Sequence, residues 1–290
     1  METVNNQKID VYELVTSRII ELLEKGVVPW QQPWTEAGLP QNLLTKKPYA
    51  GINVWILASL GYERNYFLTF KQVKDLGGSV KIGEKSCPVV FWKWSEKEDP
   101  TSKAPRKVSM IRYYSVFNIE QCTDLPELKI PAFIPKENNP IETCDAIVKA
   151  MPKPPKIQHI DMEAYYSPVF DYVNMPKIST FINSESYYGT LFHELIHSTG
   201  HQSRLNRKEL VQTAEFGTVA YSMEELVAEL GACYLKSFTG IVNDNFKNNA
   251  SYIYNWLLRL KKDKRLIVLS AAKAQRAVDF ILNTLEQPSE

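Results

Sequence analysis

Leu191-Phe192-His193-Glu194-Leu195-Ile196-His197 sets a His-Glu-x-x-His pattern inside an apolar run. On a helix, residues four apart lie on one face, one turn apart. His193 and His197 can therefore present both imidazoles to a single metal ion. Glu194 follows the first ligand, where its carboxylate can reach a metal-bound water. Zinc lowers the pKa of such a water to about 7 and polarises a carbonyl, and the glutamate takes the proton. The stretch points to a zinc hydrolase site on a helix, with one zinc ion and Glu194 as catalytic base.

Three features separate this pattern from a chance match. The chain has four histidines, at 159, 193, 197 and 201, and three of them fall between 193 and 201. Leu191, Phe192, Leu195 and Ile196 bury the helix, where an unpaired imidazole costs free energy. Gly200 then offers a stop. The helix is expected over 187–198.

Zinc in a catalytic site needs a third protein ligand and an open fourth position. The favoured source is the run Ser222-Met223-Glu224-Glu225-Leu226-Val227-Ala228-Glu229, read as a helix over 222–238. Ser222 and Glu225 have capping-box spacing. Glu225 and Glu229 share a face, whereas Glu224 is turned away from it. Glu225 is the first choice as ligand, and Glu229 is either the ligand or a carboxylate that orients a histidine. With so little polar face on this helix, at least one of its acids should be buried and paired. His201 is the other candidate. The longer peptidase pattern His-Glu-x-x-His-x-x-Gly-x-x-His calls for histidine at 203, where Ser203 stands. If the helix ran on, residue 201 would lie about 12 Å from residue 193, too far for one ion.

Outward from this site, the 290 residues suit two domains. Hydrophobic residues at 44% and charged residues at 23% allow a sizeable core and argue against global disorder. A net charge of +1 rules out a polycationic chain, so affinity for nucleic acid must come from local charge. Cys87, Cys122, Cys144 and Cys233 have neither ribbon nor redox-pair spacing and read as reduced thiols. No secretory signal or run of ~20 apolar residues appears, so a cytoplasmic location and no membrane partner are expected.

The first half mixes helix and strand. Val11, Leu14, Val15, Ile19, Leu22 and Leu23 recur at helical spacing over 8–25. Helices are expected at 52–60 and 69–76, and strands at 86–94 and 108–118 with a polar loop over 95–107. Prolines at 126, 131, 135 and 140 mark a linker. Beyond it, helices are expected at 141–151, 251–262 and 266–286, with short strands at 157–161 and 164–166. Residues 40–94 carry eight basic side chains against three acidic ones, interleaved with Tyr49, Trp55, Tyr62, Tyr66, Phe67, Phe70, Phe91, Trp92 and Trp94. Cations for phosphates and flat rings for bases suit single-stranded nucleic acid. Lys46, Lys47, Tyr49, Asn53, Lys71, Gln72 and Lys81 are the candidate contacts.

Several segments of this half resemble the N-terminal domain of ArdC-type antirestriction proteins. They are Pro29 to Trp34, Asn42 with Thr45–Asn53, Thr69–Gln72, Leu76–Gly78, Val80–Gly83 and Val116–Asn118 with Glu120-Gln121. Ala164–Pro168, Asp171, Met175-Pro176, Tyr188–Arg207 and Phe216-Gly217 through Ala232 resemble the zincin-like metallopeptidase domain that follows it there. The resemblance implies an α+β fold of two domains. Residues 1–125 would be the mixed α/β domain that binds single-stranded DNA, 126–140 the linker, and 141–290 the peptidase domain. It also implies a mobile-element protein that protects incoming DNA from restriction and acts on an unknown protein substrate. Its ligand pattern fits His193, His197 and a glutamate of the 224–229 segment, with Glu194 as the catalytic residue. Two other functions stay open: a non-enzymatic DNA-protecting protein with a structural zinc, and a cytosolic zinc peptidase whose N-terminal domain binds protein.

Overall fold

The structure is a computed structural model that describes residues 10–31, 39–98, 105–126, 140–211, 219–241 and 250–285. Helix α1 (Val11–Glu24) starts where the Asp10 carboxylate accepts the Tyr12 amide at 2.9 Å, and stops before Gly26, whose φ is 77°. Val11, Val15, Ile19, Leu22 and Leu23 form its buried stripe, and Leu14 is only half-buried.

The first half continues with β1 (Gln41–Asn42), α2 (Ile52–Ala58), β2 (Tyr66–Thr69), α3 (Phe70–Asp75), β3 (Ser79–Val80), β4 (Cys87–Glu98), β5 (Pro105–Asn118) and β6 (Cys122–Thr123). One sheet has the order β1-β2-β5-β4, and β3 pairs with β6. A capping box starts α3, with Thr69 accepting from the Gln72 amide and Gln72 accepting from the Thr69 amide. The loop expected at 95–107 is shorter than its polarity suggested. The β4–β5 ladder continues from Cys87↔Val116 out to Glu98↔Pro105, and residues 99–104 lie outside the described ones. Past Val90 the ribbon leaves the core, and past Trp94 its side chains turn polar while the backbone ladder goes on.

The second half holds α4 (Pro140–Ala150), β7 (Lys156–Gln158), β8 (Tyr165–Ser167), β9 (Tyr172–Asn174), α5 (Ser184–Thr199), α6 (Lys208–Val211), α7 (Val219–Thr239), α8 (Ala250–Lys262) and α9 (Leu266–Ile281). The three strands form a sheet of order β7-β9-β8. β9, three residues long, is too short to show an alternating pattern in sequence. Asn183 caps α5 by accepting the Ser186 amide at 2.8 Å, three residues before the helix was expected. Ser222 lies within α7, so the capping box expected there does not form: an N-cap residue has non-helical backbone. The four cysteines are free thiols, three of them buried.

α7 packs against both α5 and α9. Gly231 lets α5 come close, since a Cβ there would lie 2.6 Å from Ile196 Cδ1. The halves also share one core. Trp55 of α2 packs on Tyr234 of α7 with ring centroids 4.6 Å apart, and the Tyr234 hydroxyl donates to the Gly51 carbonyl. α1 lies against α8 and α9, and Trp30 meets Trp256 edge-on at 6.3 Å. The proline-rich linker suggested separate bodies; its residues 127–139 lie outside the described ones, while the flanking halves bury a continuous apolar cluster.

Trp55→Ala is expected to lower the unfolding free energy by about 3–5 kcal/mol, the usual cost of emptying so large a buried site. Because Trp55 joins both halves, urea denaturation should show one shifted transition by tryptophan fluorescence and by far-UV circular dichroism alike. Two separate transitions would mean that the halves unfold independently.

Candidate metal centre

α5 presents His193 and His197 one turn apart, with their Nε2 atoms 3.2 Å from each other. α7 adds Glu225, whose Oε2 is 3.6 Å from His193 Nε2 and whose Oε1 is 3.6 Å from His197 Nε2. Ligands about 2.0–2.2 Å from a tetrahedral zinc lie roughly 3.3–3.5 Å from one another. Each histidine nitrogen thus faces a carboxylate oxygen of Glu225 at about the spacing that two ligands of one ion keep, and one donor atom from each residue lies within 4.8 Å of the others. Two imidazole nitrogens and a carboxylate turned on a common point are complementary to a divalent cation, and the donor set fits one. Among the described residues no other group of three His, Cys, Asp or Glu side chains converges in this way. The side chains of His193 and Glu225 keep 25% and 29% of their exposure, so solvent reaches one side of the site. Burial raises the carboxyl pKa of Glu225, but the facing histidines outweigh it and the net shift is downward.

A buried chain of charges lies behind the ligands. His197 Nδ1 is 3.1 Å from Glu224 Oε1, which selects the tautomer protonated at Nδ1 and leaves the Nε2 lone pair for the metal. Arg207 holds both oxygens of Glu224, with Nε donating to Oε2 at 2.9 Å and Nη2 to Oε1 at 2.5 Å. It also donates to Thr199 Oγ1 at 2.6 Å and to the Ile196 carbonyl at 2.8 Å, closing the last turn of α5. Burial alone would raise the carboxyl pKa of Glu224. The Arg207 hydrogen bonds and His197 overcome it and hold that pKa at about 2. Burial disfavours the charged His197 ring, yet the bond to Glu224 and the charges of Glu224, Glu194 and Glu225 raise its pKa.

This arrangement corrects the expected role of two acids. Glu224, placed away from the site by face counting, orients His197, and Glu229 does not. An imidazole directs its two nitrogens differently, so neighbouring residues 224 and 225 can grip it where two residues on one face cannot. Glu229, four residues on, accepts from the Tyr252 hydroxyl, and burial raises its pKa. His201 stands outside the ligand cluster; its Nδ1 is 2.8 Å from Ser203 Oγ and 3.9 Å from Asp171 Oδ2. Glu194 is buried and makes no hydrogen bond or ion pair with another described residue. Arg207 escaped sequence reading. Its signal is a basic residue just past a helix end, where the final carbonyls need donors.

The candidate nucleic-acid contacts differ in burial. Lys46, Lys47, Lys71 and Lys81 are exposed, and Lys81 Nζ donates to the Glu120 carbonyl at 2.7 Å. Asn53 is no surface contact. Its buried amide donates to the Val90 carbonyl and accepts the Val90 amide, both at 2.7 Å, and so satisfies the free edge of β4. Tyr49 is likewise structural: its ring meets Phe67 edge-on at 6.2 Å, and burial of its hydroxyl raises the pKa. Gln72 is engaged in the α3 capping box and with Asn42.

Glu224→Gln is expected to weaken Zn²⁺ binding about 10–100-fold, the usual effect of losing a partner that orients a ligand. Chelator competition should find Glu229→Gln close to wild type. Equal losses in the two variants would refute the division of roles between these acids.

Comparison with known proteins agrees with this layout. A family profile described as the N-terminal domain of anti-restriction factor ArdC matches residues 9–117, and one described as a zincin-like metallopeptidase matches residues 142–274. Two Escherichia coli proteins named DNA primase TraC are each 34% identical over 93% of this chain, which spans only 20% and 27% of their lengths. An uncharacterized Sinorhizobium fredii (strain NBRC 101917 / NGR234) protein, y4eC, is 31% identical over 94% of this chain and 91% of its own. The antirestriction ArdC protein from the R388 plasmid, solved in metal-free and Mn(II)-bound crystals, is similar with TM-scores of 0.75 and 0.74. It is 36% identical, over 95% of this chain and 98% of that one. With that identity across nearly the whole of both chains, this protein belongs to the ArdC family of antirestriction proteins.

Proposed function

We propose that the chain is an antirestriction factor of a mobile genetic element. It binds single-stranded DNA through residues 1–125, and its second half, 141–290, is a zinc-dependent peptidase that cuts a protein substrate in the cytoplasm. The observation that carries the enzymatic reading is Glu194, which follows His193 in the chain and whose charge acts on His197, one of three convergent donors. Among the described residues, no helix is long and apolar enough to cross a membrane.

His193, His197 and Glu225 would hold the ion, and a two-histidine, one-carboxylate set with an open position suits zinc. Zinc supplies Lewis acidity and an acidified water at such a site. Glu194 takes up the proton on a carboxylate oxygen and passes it on to the departing amine nitrogen. Glu224 and Arg207 keep His197 in the ligating tautomer throughout. A closed structural site would need a fourth protein donor, and both remaining candidates, His201 and Glu229, have partners elsewhere. That favours the enzyme over the non-enzymatic alternative.

Glu194→Gln should cut peptide hydrolysis by about 10²–10⁴-fold. The same variant should bind one Zn²⁺ per chain with unchanged affinity, since Glu194 is no ligand. Peptide cleavage at the wild-type rate would exclude this mechanism, and loss of the metal would make Glu194 part of the ligand set.

A further inference from the structure

We propose that a single DNA strand lies along one face of the β4–β5 ribbon, the face that carries Phe91, Lys93, Arg112 and Tyr114. This rests on the reading of the first half as a single-stranded-DNA-binding unit and names its surface.

Register defines the face. Val89 pairs with Tyr114, Phe91 with Arg112 and Lys93 with Met110. In an antiparallel ladder, directly opposed residues and their second neighbours point the same way. At the root of the ribbon, Cys87, Val89 and Val116 of this face are buried in the core. Farther out the same face reaches solvent, where Phe91 and Tyr114 are 42% and 39% exposed with ring centroids 5.8 Å apart. Lys93 and Arg112 are exposed beside them, and neither pairs with a carboxylate among the described residues.

Charge identifies the occupant. The acids of this stretch, Glu96 and Glu98, fall at register positions of the other face, opposite Lys107 and Pro105, so the cations beside Phe91 and Tyr114 are not neutralised from their own side. Rings alternating with guanidinium and ammonium groups suit a strand with one aromatic base and one phosphate per unit. Every base has a π-face, so binding tolerates any sequence. An apolar protein partner would leave Lys93 and Arg112 desolvated and unpaired, at a cost.

The test is anisotropy titration of a fluorescein-labelled oligothymidylate with the full chain, at several salt concentrations. Phe91→Ala and Tyr114→Ala are each expected to weaken binding about fivefold or more. The double variant Lys93→Ala/Arg112→Ala should reduce the slope of log K against log salt by about 1.4, at roughly 0.7 per phosphate. Trp94→Ala, on the opposite face, should bind as wild type does. All these side chains are exposed, and unchanged thermal unfolding will verify that the variants fold. A loss from Trp94→Ala equal to that from Phe91→Ala overturns the assignment. So does a ribbon whose variants all bind normally while Lys46→Ala/Lys47→Ala/Lys71→Ala does not. A wild-type chain that binds no strand removes the DNA-binding reading itself, and this surface with it.

Discussion

A carboxylate taken out of water must meet its counter-charge inside the protein, and Glu224 meets two. Arg207 holds both of its oxygens and His197 contacts one. Much of the centre follows from that requirement. Arg207 can reach Glu224 only because the chain turns back after Gly200. The same guanidinium takes up the Ile196 carbonyl and so fastens the end of α5. α7 must then cross α5 at the depth that Gly231 permits, which sets Glu225 opposite both histidines. Ligand geometry here results from a charge balance one layer farther in.

What could be read in the sequence divides along physical lines. His193 and His197 were legible because helical spacing alone places them, and helices of this length hold their spacing. Glu225 was only the first choice beside Glu229 and His201, because spacing within one helix does not say which of its residues meets another helix. The inner partner was not, since face counting treats a side chain as a point and an imidazole has two ends. Asn53 and Tyr49 looked like surface chemistry because composition does not reveal burial. Asn53 is polar for the sake of one strand edge, and Tyr49 is aromatic for the sake of Phe67. The mixture of helices and strands was readable from alternation and amphipathic runs, whereas the two-domain α+β class came from the family resemblance. The common core was not, because contacts such as Trp55 with Tyr234 join residues far apart in the chain and leave no periodic trace.

The ribbon shows the opposite case. Phe91, Trp92 and Trp94 stand out in sequence as strand formers, and core packing is the ordinary use for such residues. β4 keeps its ladder with β5 after both strands have left the apolar cluster, so rings that would normally be covered stand in solvent. A monomer seldom tolerates that without something to lay against them.

The common core has a consequence for inheritance. Trp55 and Tyr234 each cover the other, and α1 shields α8 and α9. A recombination event that moved only one half would strand half-finished apolar surfaces in the recipient. Moving both halves together keeps those surfaces covered. In the two Escherichia coli relatives, where a matching stretch occupies 20% and 27% of a longer protein, the match extends over 93% of this chain and so includes both halves. There the two halves travel together inside a longer chain.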